Sequence, residues 1–384
     1  MILSSVAYFC IMNHNTNDHF IHQALELATK GRGYVSPNPL VGCVIVGKDG
    51  KVLGTGYHQK FGEPHAEVNA VRDADKNGYS VNGATVYVNL EPCTHQGKTP
   101  PCTDLLIEKK IAKCVIGMQD PNPEVNGSGI AKMRAAGIEV ISGVLEKECE
   151  ELNKFFIKFV KTNTPYVTLK IASSLDGKTA LKSGVSKWIT SEASRKAVHE
   201  MRSHYDAILV TSATVLADDP ELTVRLVEGR SPKRIILDAN LRVPESAKVY
   251  SDSHSNNTII VTTERALKEK SGLKHMLNSR GISFIEANDT QSQFILKDVF
   301  EKIGKLNIAS ILVEPGPTLA TILLQENLFD ELVLFVAPIV LGSDARSTFG
   351  DLHIKKLHDA YKLKLQACSV VEGSDDLRLD YRNA

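Results

Sequence analysis

The sequence has no surplus of charge of either sign: lysine and arginine together number 45, and aspartate and glutamate also number 45. A dedicated nucleic-acid binder usually carries a basic footprint, so this balance argues against that class while leaving room for a local phosphate pocket. Aromatic residues are sparse, and Trp188 is the single tryptophan. Long apolar runs are missing. The opening stretch MILSSVAYFCIM is apolar but too short to span a bilayer, and it lacks the basic leader and small-residue cleavage site of a signal peptide. It reads as an extension, with residues 1–16 disordered outside the folded unit. The seven cysteines, at 10, 43, 93, 102, 114, 149 and 368, are scattered and odd in number, which argues against a disulfide framework. A reducing, cytoplasmic setting follows, and it leaves thiolates available for metal. No G-x-G-x-x-G occurs, so a Rossmann dinucleotide fingerprint is excluded.

What is present points to two α/β domains, since 384 residues exceed one typical core. Apolar residues at helical spacing run from His19 to Lys30, and Gly31 and Gly33 stop that helix. VGCVIV (41–46), ATVYVNL (84–90), CVIGMQ (114–119) and IEVISGVL (138–145) read as strands. HAEVNAVRDAD (65–75) and TDLLIEKKI (103–111) read as the helices between them. ELNKFFIKFVKTNTPY (151–166) reads as one helix ending at a Thr-Asn-Thr-Pro joint, where proline blocks continuation. The domains are therefore expected at 1–163 and 164–384. In the second, strands are expected at 166–172, 207–212, 234–239, 258–263, 310–314 and 331–338, with helices at 193–202 and 317–325 and a surface loop at 251–257. The apolar run 332–342 is read as a sheet edge that could make a homo-oligomer contact.

The strongest chemical signal joins HAE (65–67), EPC (91–93) and PPC (100–102). A catalytic zinc takes three protein ligands and keeps a fourth position for water. His65, Cys93 and Cys102 supply one imidazole and two thiolates. Glu67, two residues from the histidine, can reach a zinc-acidified water and pass its proton to a departing amine. The set follows the H-x-E…P-C-x-x-C pattern of zinc deaminases, except that THQGKTPP separates the two cysteines. Other readings of these residues are a packed core, a Cys93–Cys102 disulfide, or a purely structural zinc with His95 as the nearby fourth ligand. Glu67 has no purpose in a structural site, and Cys93 follows a strand and a proline, as the deaminase pattern requires. Two strand-to-helix turns in the second half, at Gly316–Leu319 and around Thr214, could present backbone amides to an anion; a capped helix without ligand is the competing reading of each.

The long loop EPCTHQGKTPPC (91–102), SPNPLVG (36–42) and MQDPNP (118–123) go beyond the deaminase pattern. Together with KIASSLDGKTA (170–180), SGVSKWIT (183–190), ATVLADDPELTVR (213–225) and LVEPGPTLA (312–320), they make the chain resemble the bifunctional riboflavin-biosynthesis deaminase/reductases from about Asp18 onward. The resemblance implies a cytidine-deaminase-like three-layer α/β domain followed by a dihydrofolate-reductase-like α/β domain. It implies zinc-dependent deamination of 2,5-diamino-6-ribosylamino-4(3H)-pyrimidinone 5′-phosphate and then NADPH reduction of the ribosyl group to ribityl. Neither a nucleic acid nor a membrane is an expected partner.

Carried over residue by residue, Asn38, His58 and Lys98 lie near the pyrimidine, and His95 is not a ligand. Ala172, Trp188, Thr214, Asp218 and the run Gly316, Pro317, Thr318, Leu319, Ala320, Thr321 and Ile322 match the NADPH positions. Lys170, Ser186, Arg202, Leu222, Arg225 and Glu314 match the substrate positions. Guanidinium groups suit a bidentate sugar-phosphate clamp, which is the part expected of Arg202 and Arg225. Trp188 could pack on a planar ring or lie in the core. Lys170, Asp176 and Glu314 are the ionisable candidates beside hydride transfer. The chain departs from the family at Asn89, where a small hydroxyl residue is common, and at Pro315, which removes a backbone donor.

Overall fold

The computed structural model describes residues 16–94, 100–123, 125–290 and 293–383. The chain divides into two compact units, Met1–Ile157 and Lys158–Ala384, within a helix that runs from Lys154 to Thr162.

In the first unit the elements are α1 (Thr16–Thr29), β1 (Gly42–Val46), β2 (Val52–Tyr57), α2 (Ala66–Lys76), β3 (Thr85–Leu90), α3 (Cys102–Glu108), β4 (Lys113–Met118), α4 (Ser128–Ala135), β5 (Glu139–Ser142) and α5 (Glu146–Leu152), followed by α6 (Lys154–Thr162). The sheet order is β2-β1-β3-β4-β5; β1 is antiparallel to β2 and β3, while β3, β4 and β5 are parallel. Side chains alternate across the strands. Cys43, Ile45, Val86, Val88, Cys114 and Ile116 pack with Ala66, Ala70, Leu106 and Met133 on one face. Val44, Val46, Tyr87 and Val115 pack with Phe20, Ile21 and Cys149 on the other. Two separate cores on one sheet make three layers, as expected.

Three local readings change. Strand β2, VLGTGY, carries no strand-like apolar alternation because Gly54 and Gly56 serve close approach: a Cβ on Gly56 would lie 2.4 Å from Ala70 N and 2.5 Å from Ala66 O. Helix α2 therefore rests directly on β2, and its first turn is held where the chemistry lies. Strand β5 stops at Ser142, because Gly143 and Leu145 take positive φ values of 87° and 54° and Leu145 then opens α5. The single helix expected over 151–166 is two helices, since Asn153 caps α5 and spends its side chain on Leu40, accepting from its N–H at 2.8 Å and donating to its carbonyl at 3.0 Å.

The second unit contains β6 (Tyr166–Ser174), β7 (Lys178–Ala180), α7 (Glu192–His204), β8 (Ala207–Thr211), α8 (Ser212–Asp218), β9 (Lys233–Leu237), α9 (Lys248–Ser251), β10 (Thr258–Thr262), α10 (Glu264–Glu269) and α11 (Ser271–Ser279). It continues through β11 (Ser283–Glu286), the small hairpin β12 (Asp289–Thr290) and β13 (Gln293–Phe294), α12 (Leu296–Gly304), β14 (Ser310–Val313), α13 (Pro317–Gln325), β15 (Glu331–Ala337), β16 (Arg346–Ser347), β17 (Leu363–Val370) and β18 (Leu377–Asn383). The main sheet runs β11-β10-β9-β8-β14-β6-β15-β18-β17, parallel except for the last two strands. Odd-numbered positions such as Leu209, Ile235 and Ile311 pack beneath α12 and α13. Ile208, Val210, Ile236 and Ile260 face α9 and α11.

The run 332–342 is not an edge. Strand β15 pairs with β6 on one side and β18 on the other, because the chain after residue 360 returns as a hairpin whose polar alternation carried no apolar signal. The 251–257 stretch is part of a short helical connection: α9 ends at Ser251 and a 3₁₀ turn covers Ser255–Asn257.

Candidate metal centre and candidate reductase site

Two helix starts and one strand end converge in the first unit. His65 is the N-cap of α2, Cys102 is the first residue of α3, and Cys93 follows β3 through Glu91 and Pro92. His65 Nδ1 lies 3.6 Å from Cys93 Sγ and 3.4 Å from Cys102 Sγ, and all three ligand atoms fall within 4.8 Å of one another. A tetrahedral zinc with its usual Zn–N and Zn–S bonds sets an N···S edge of about 3.6 Å. The donor set therefore fits zinc in distance as well as in chemistry. Cys93 and Cys102 are free thiols, so the disulfide reading falls.

The two thiols share their protons unequally. Hydrogen bonding to Cys102, and then to His65, draws Cys93 down against the opposite pull of burial. Its own bond to Cys93, then burial, pushes Cys102 up. His65 is raised, chiefly by Cys93 and against burial. Glu67 is 3% exposed, and burial raises its carboxyl.

His65, Glu67 and Cys93 line a cavity of about 260 Å³ with Asn38, His58, Asp120, Asn122, Phe61 and Phe156. The buried His58 has a settled tautomer. Its Nδ1 donates to the Pro64 carbonyl at 3.1 Å, which leaves Nε2 to accept from Asn38 Nδ2 at 3.1 Å. Burial lowers its pKa and keeps it neutral. Asn38 is in turn carried by Leu40, whose carbonyl also accepts from the buried Asn89 at 2.9 Å, while Asn89 Oδ1 accepts the Gly42 N–H at 2.8 Å. Asn89 thus ties the Asn38 loop to the strand that leads to Cys93. Lys98 and His95 lie outside the described residues.

Sequence reasoning missed Glu91, Asp120 and Asn122. Glu91 is buried, and its carboxylate accepts four backbone N–H groups: Asp120 at 3.1 Å and Gly127 at 2.9 Å on Oε2, Gly129 at 2.8 Å and Ile130 at 3.1 Å on Oε1. It braces the turn that presents Cys93 against the segment that presents Asp120 and Asn122. The glutamate of EPC and the polar pair in MQDPNP were the available signals.

In the second unit Lys170, Arg202, Arg225 and Glu314 come together, with Glu314 at the carboxyl end of a parallel strand, the usual ligand edge of such sheets. Glu314 follows β14, donating its N–H to Leu209 O at 3.0 Å. Arg202 on α7 grips its carboxylate with two bonds, Nε to Oε1 at 2.9 Å and Nη2 to Oε2 at 3.0 Å. Burial acts to raise the Glu314 carboxyl, but Arg202 and then Lys170 outweigh it and hold it at about 2. Burial lowers Lys170 on β6. Arg202 is therefore engaged by Glu314, whereas Arg225 is more open and pairs with Glu221 at 3.1 Å. Leu222 is buried at a left-handed φ of 56°.

Asp176 is a turn brace. Its carboxylate accepts from Ser174 Oγ at 2.5 Å and from the N–H groups of Leu341 and Gly342 at 3.1 and 2.8 Å, and the Ser174 bond, opposed by burial and joined by those amides, holds it at about 2. A carboxylate so committed is not placed to deliver a proton.

Trp188 is not a core residue. It is 69% exposed, with the Arg195 guanidinium 4.3 Å from the ring centroid; Ser186 lies on the same loop. Asp218 meets Lys187 at 3.7 Å, and Ala172 stands opposite Phe335 in the β6–β15 register. The two candidate anion turns differ. Thr211 caps α8 by accepting the Thr214 N–H at 3.4 Å, whereas α13 starts at Gly316 with no side-chain cap. A Cβ on Gly316 would meet nothing within 4 Å, so the backbone there is open to a ligand. Pro317 at the first helical position adds no donor. Leu319, Ala320 and Thr321 are buried, so they can offer backbone only, and Thr321 Oγ accepts the Gly350 N–H at 2.7 Å.

Comparison with known proteins places this geometry. Residues 14–118 match the cytidine and deoxycytidylate deaminase zinc-binding region, and residues 165–378 match the RibD C-terminal domain. The chain is 44% identical to the riboflavin biosynthesis protein RibD of Aquifex aeolicus, over 92% of this chain and 95% of that one. It is also 44% identical to the Escherichia coli protein of that name, over 91% and 95%. Among solved structures it is similar to Acinetobacter baumannii RibD, with a TM-score of 0.85 and 38% identity over 96% of this chain and 99% of that chain. A Thermotoga maritima diaminohydroxyphosphoribosylaminopyrimidine deaminase/5-amino-6-(5-phosphoribosylamino)uracil reductase also scores 0.85, with 38% identity over 97% and 100%. Among the described residues no helix is long and apolar enough to cross a membrane.

Proposed function

The chain belongs to the RibD family, and from that premise we propose how its own residues divide the family's two reactions, deamination and reduction in riboflavin biosynthesis. The substrate is 2,5-diamino-6-ribosylamino-4(3H)-pyrimidinone 5′-phosphate, deaminated in the first unit and reduced at its ribosyl carbon with NADPH in the second.

His65, Cys93 and Cys102 would hold zinc, which when bound supplies an acidified water and a Lewis acid. Glu67 takes a proton at its carboxylate and returns it to the departing amine. Its burial removes competing bulk water from that transfer. Asn38, the tautomer-locked His58, Asp120 and Asn122 offer amide, imidazole and carboxylate groups that suit the polar edge of the pyrimidine. The observation that carries this half is the 3.4 and 3.6 Å N···S spacing beside a buried glutamate.

NADPH would supply the hydride. Ala172, Trp188, Thr214, Asp218 and the Gly316–Ile322 turn would hold it, with the open backbone at Gly316 and the exposed indole as the fitting features. Lys170, Ser186, Leu222, Arg225 and the Arg202–Glu314 pair would bind the sugar phosphate and orient its C1′ toward the nicotinamide. Arg202 acts through Glu314, leaving Arg225 as the arginine more available to phosphate. Ammonia release from the diaminopyrimidine phosphate, followed by NADPH oxidation on the product, tests the assignment. Release of ammonia without subsequent NADPH oxidation would remove the reductase half.

A further inference from the structure

His199 takes no part in the assignments above, yet it lies among the groups they use. It stands three residues before Arg202, so both face the same side of α7. Both hold the segment Thr223–Arg225. His199 Nδ1 accepts the backbone N–H of Arg225 at 3.0 Å, and Arg202 Nη1 donates to the Thr223 carbonyl at 3.4 Å. Arg225 then folds its Nη1 onto Thr223 Oγ1 at 2.8 Å. This segment follows Leu222, a non-glycine residue at φ 56°, a conformation that persists only where the surroundings impose it.

We infer that His199 is a positioning residue of the reductase: through Nδ1 it fixes the Arg225 backbone and so aims the Arg225 guanidinium at the substrate phosphate. The inference rests on the reading that Arg225 binds that phosphate. The ring must offer a bare Nδ1, with its proton on Nε2. The site enforces this state, since burial first, and then the Arg202 and Arg225 cations, hold His199 down to about 4 against the opposing pull of Glu314. The imidazole is 6% exposed, so little water can replace it as the acceptor.

The test uses the full chain, with the deaminated ribosylaminouracil phosphate as reductase substrate and ribose 5-phosphate as a calorimetric probe without NADPH. Arg225→Ala is expected to raise KM and the probe's Kd by roughly 10- to 100-fold, the scale of a lost charged hydrogen bond. His199→Leu should raise both by about five- to tenfold, with kcat within about twofold, because the guanidinium is misplaced and not removed. His199→Asn places Oδ1 where Nδ1 stands and should keep both within about twofold. Adding His199→Leu to Arg225→Ala should cost nothing further, since one acts through the other.

No effect of Arg225→Ala would sink the phosphate reading and this inference with it. A normal effect of Arg225→Ala beside an unchanged His199→Leu, or additive effects in the double variant, would overturn the positioning role alone. If His199→Leu does not fold, a fivefold rise of KM in a folded His199→Asn protein would overturn it equally.

Discussion

Replacing Glu91 by glutamine should damage the metal centre although Glu91 touches no metal ligand with its carboxylate. Four backbone N–H groups converge on that carboxylate, two on each oxygen, at 2.8–3.1 Å. Glutamine keeps one oxygen and turns the other into an NH₂ that faces two N–H donors. Two hydrogen bonds to a charged acceptor are lost, each worth about 1.5–3 kcal/mol. The residue is 3% exposed, so water cannot readily take the place of the lost oxygen. The expected loss is about 3–6 kcal/mol, which in a unit of this size lowers its melting temperature by on the order of 10 °C. The local consequence is sharper. Glu91 anchors Pro92 and Cys93 to the loop that enters α4, so its loss should weaken zinc binding, by less than the about 10- to 100-fold that follows loss of a partner bonded directly to a ligand. Calorimetric melting with and without zinc, and competition for zinc against a chelator, read both effects. A Glu91→Gln protein that melts within about 0.5 kcal/mol of the parent and holds zinc equally well would refute the brace.

Further outcomes follow from the same geometry. Cys93→Ser or Cys102→Ser should lower bound zinc and abolish deamination. Glu67→Gln should instead keep about one zinc per chain and lose roughly 10²–10⁴-fold in turnover, read by metal analysis beside an ammonia assay. Glu314 is held at about 2, below its ordinary value near about 4.3, so the unfolded chain binds more protons between those values. Its contribution is fully present above the unfolded value, is lost as pH falls through about 2, and is on the order of 3 kcal/mol at neutral pH; urea titrations across that range should show a shallower slope in Arg202→Met than in the parent, the remainder coming from Lys170 acting on Glu314 and from other lowered carboxylates such as Asp176. Trp188 is the sole tryptophan, so NADPH should quench or shift the intrinsic fluorescence, and an unchanged spectrum at saturation would remove the indole from the cofactor site. A fragment from Lys158 keeps the Lys158–Asp330 contact at 2.5 Å and is expected to reduce the deaminated substrate without zinc. A folded fragment that binds NADPH but cannot reduce would end the claim of an independent reductase.

Much of the fold was legible because buried strands and amphipathic helices write their period into apolar residues. The six strands expected in the second half, from Tyr166 to Ala337, correspond to β6, β8, β9, β10, β14 and β15. Helix α12 escaped notice although Leu296, Val299, Phe300 and Ile303 are buried at helical spacing; other missed elements lack that period. Strand β2 spends Gly54 and Gly56 on close approach to α2, and β17 is exposed on nearly its whole length. The break at Asn153 was invisible because its cause, Leu40, is remote in sequence. A side chain that stops a helix by bonding a distant backbone leaves no local trace.

The two sites differed in legibility for a chemical reason. Zinc admits few ligand types, so a histidine, two cysteines and a nearby glutamate are nearly self-declaring, and the structure brings the three ligands within 4.8 Å. Hydride transfer needs chiefly position, and position is supplied by ordinary residues and by backbone. Arg202 shows the difference most clearly. A lone arginine in a sequence invites a phosphate, and only the fold reveals that Glu314 already occupies its fork. His199 shows the converse: nothing in its local sequence marks it, yet the acceptor it offers to Arg225 lies 3.0 Å from the backbone that matters. Residues that hold other residues are selected for distance and direction, and those become visible only once the chain is folded.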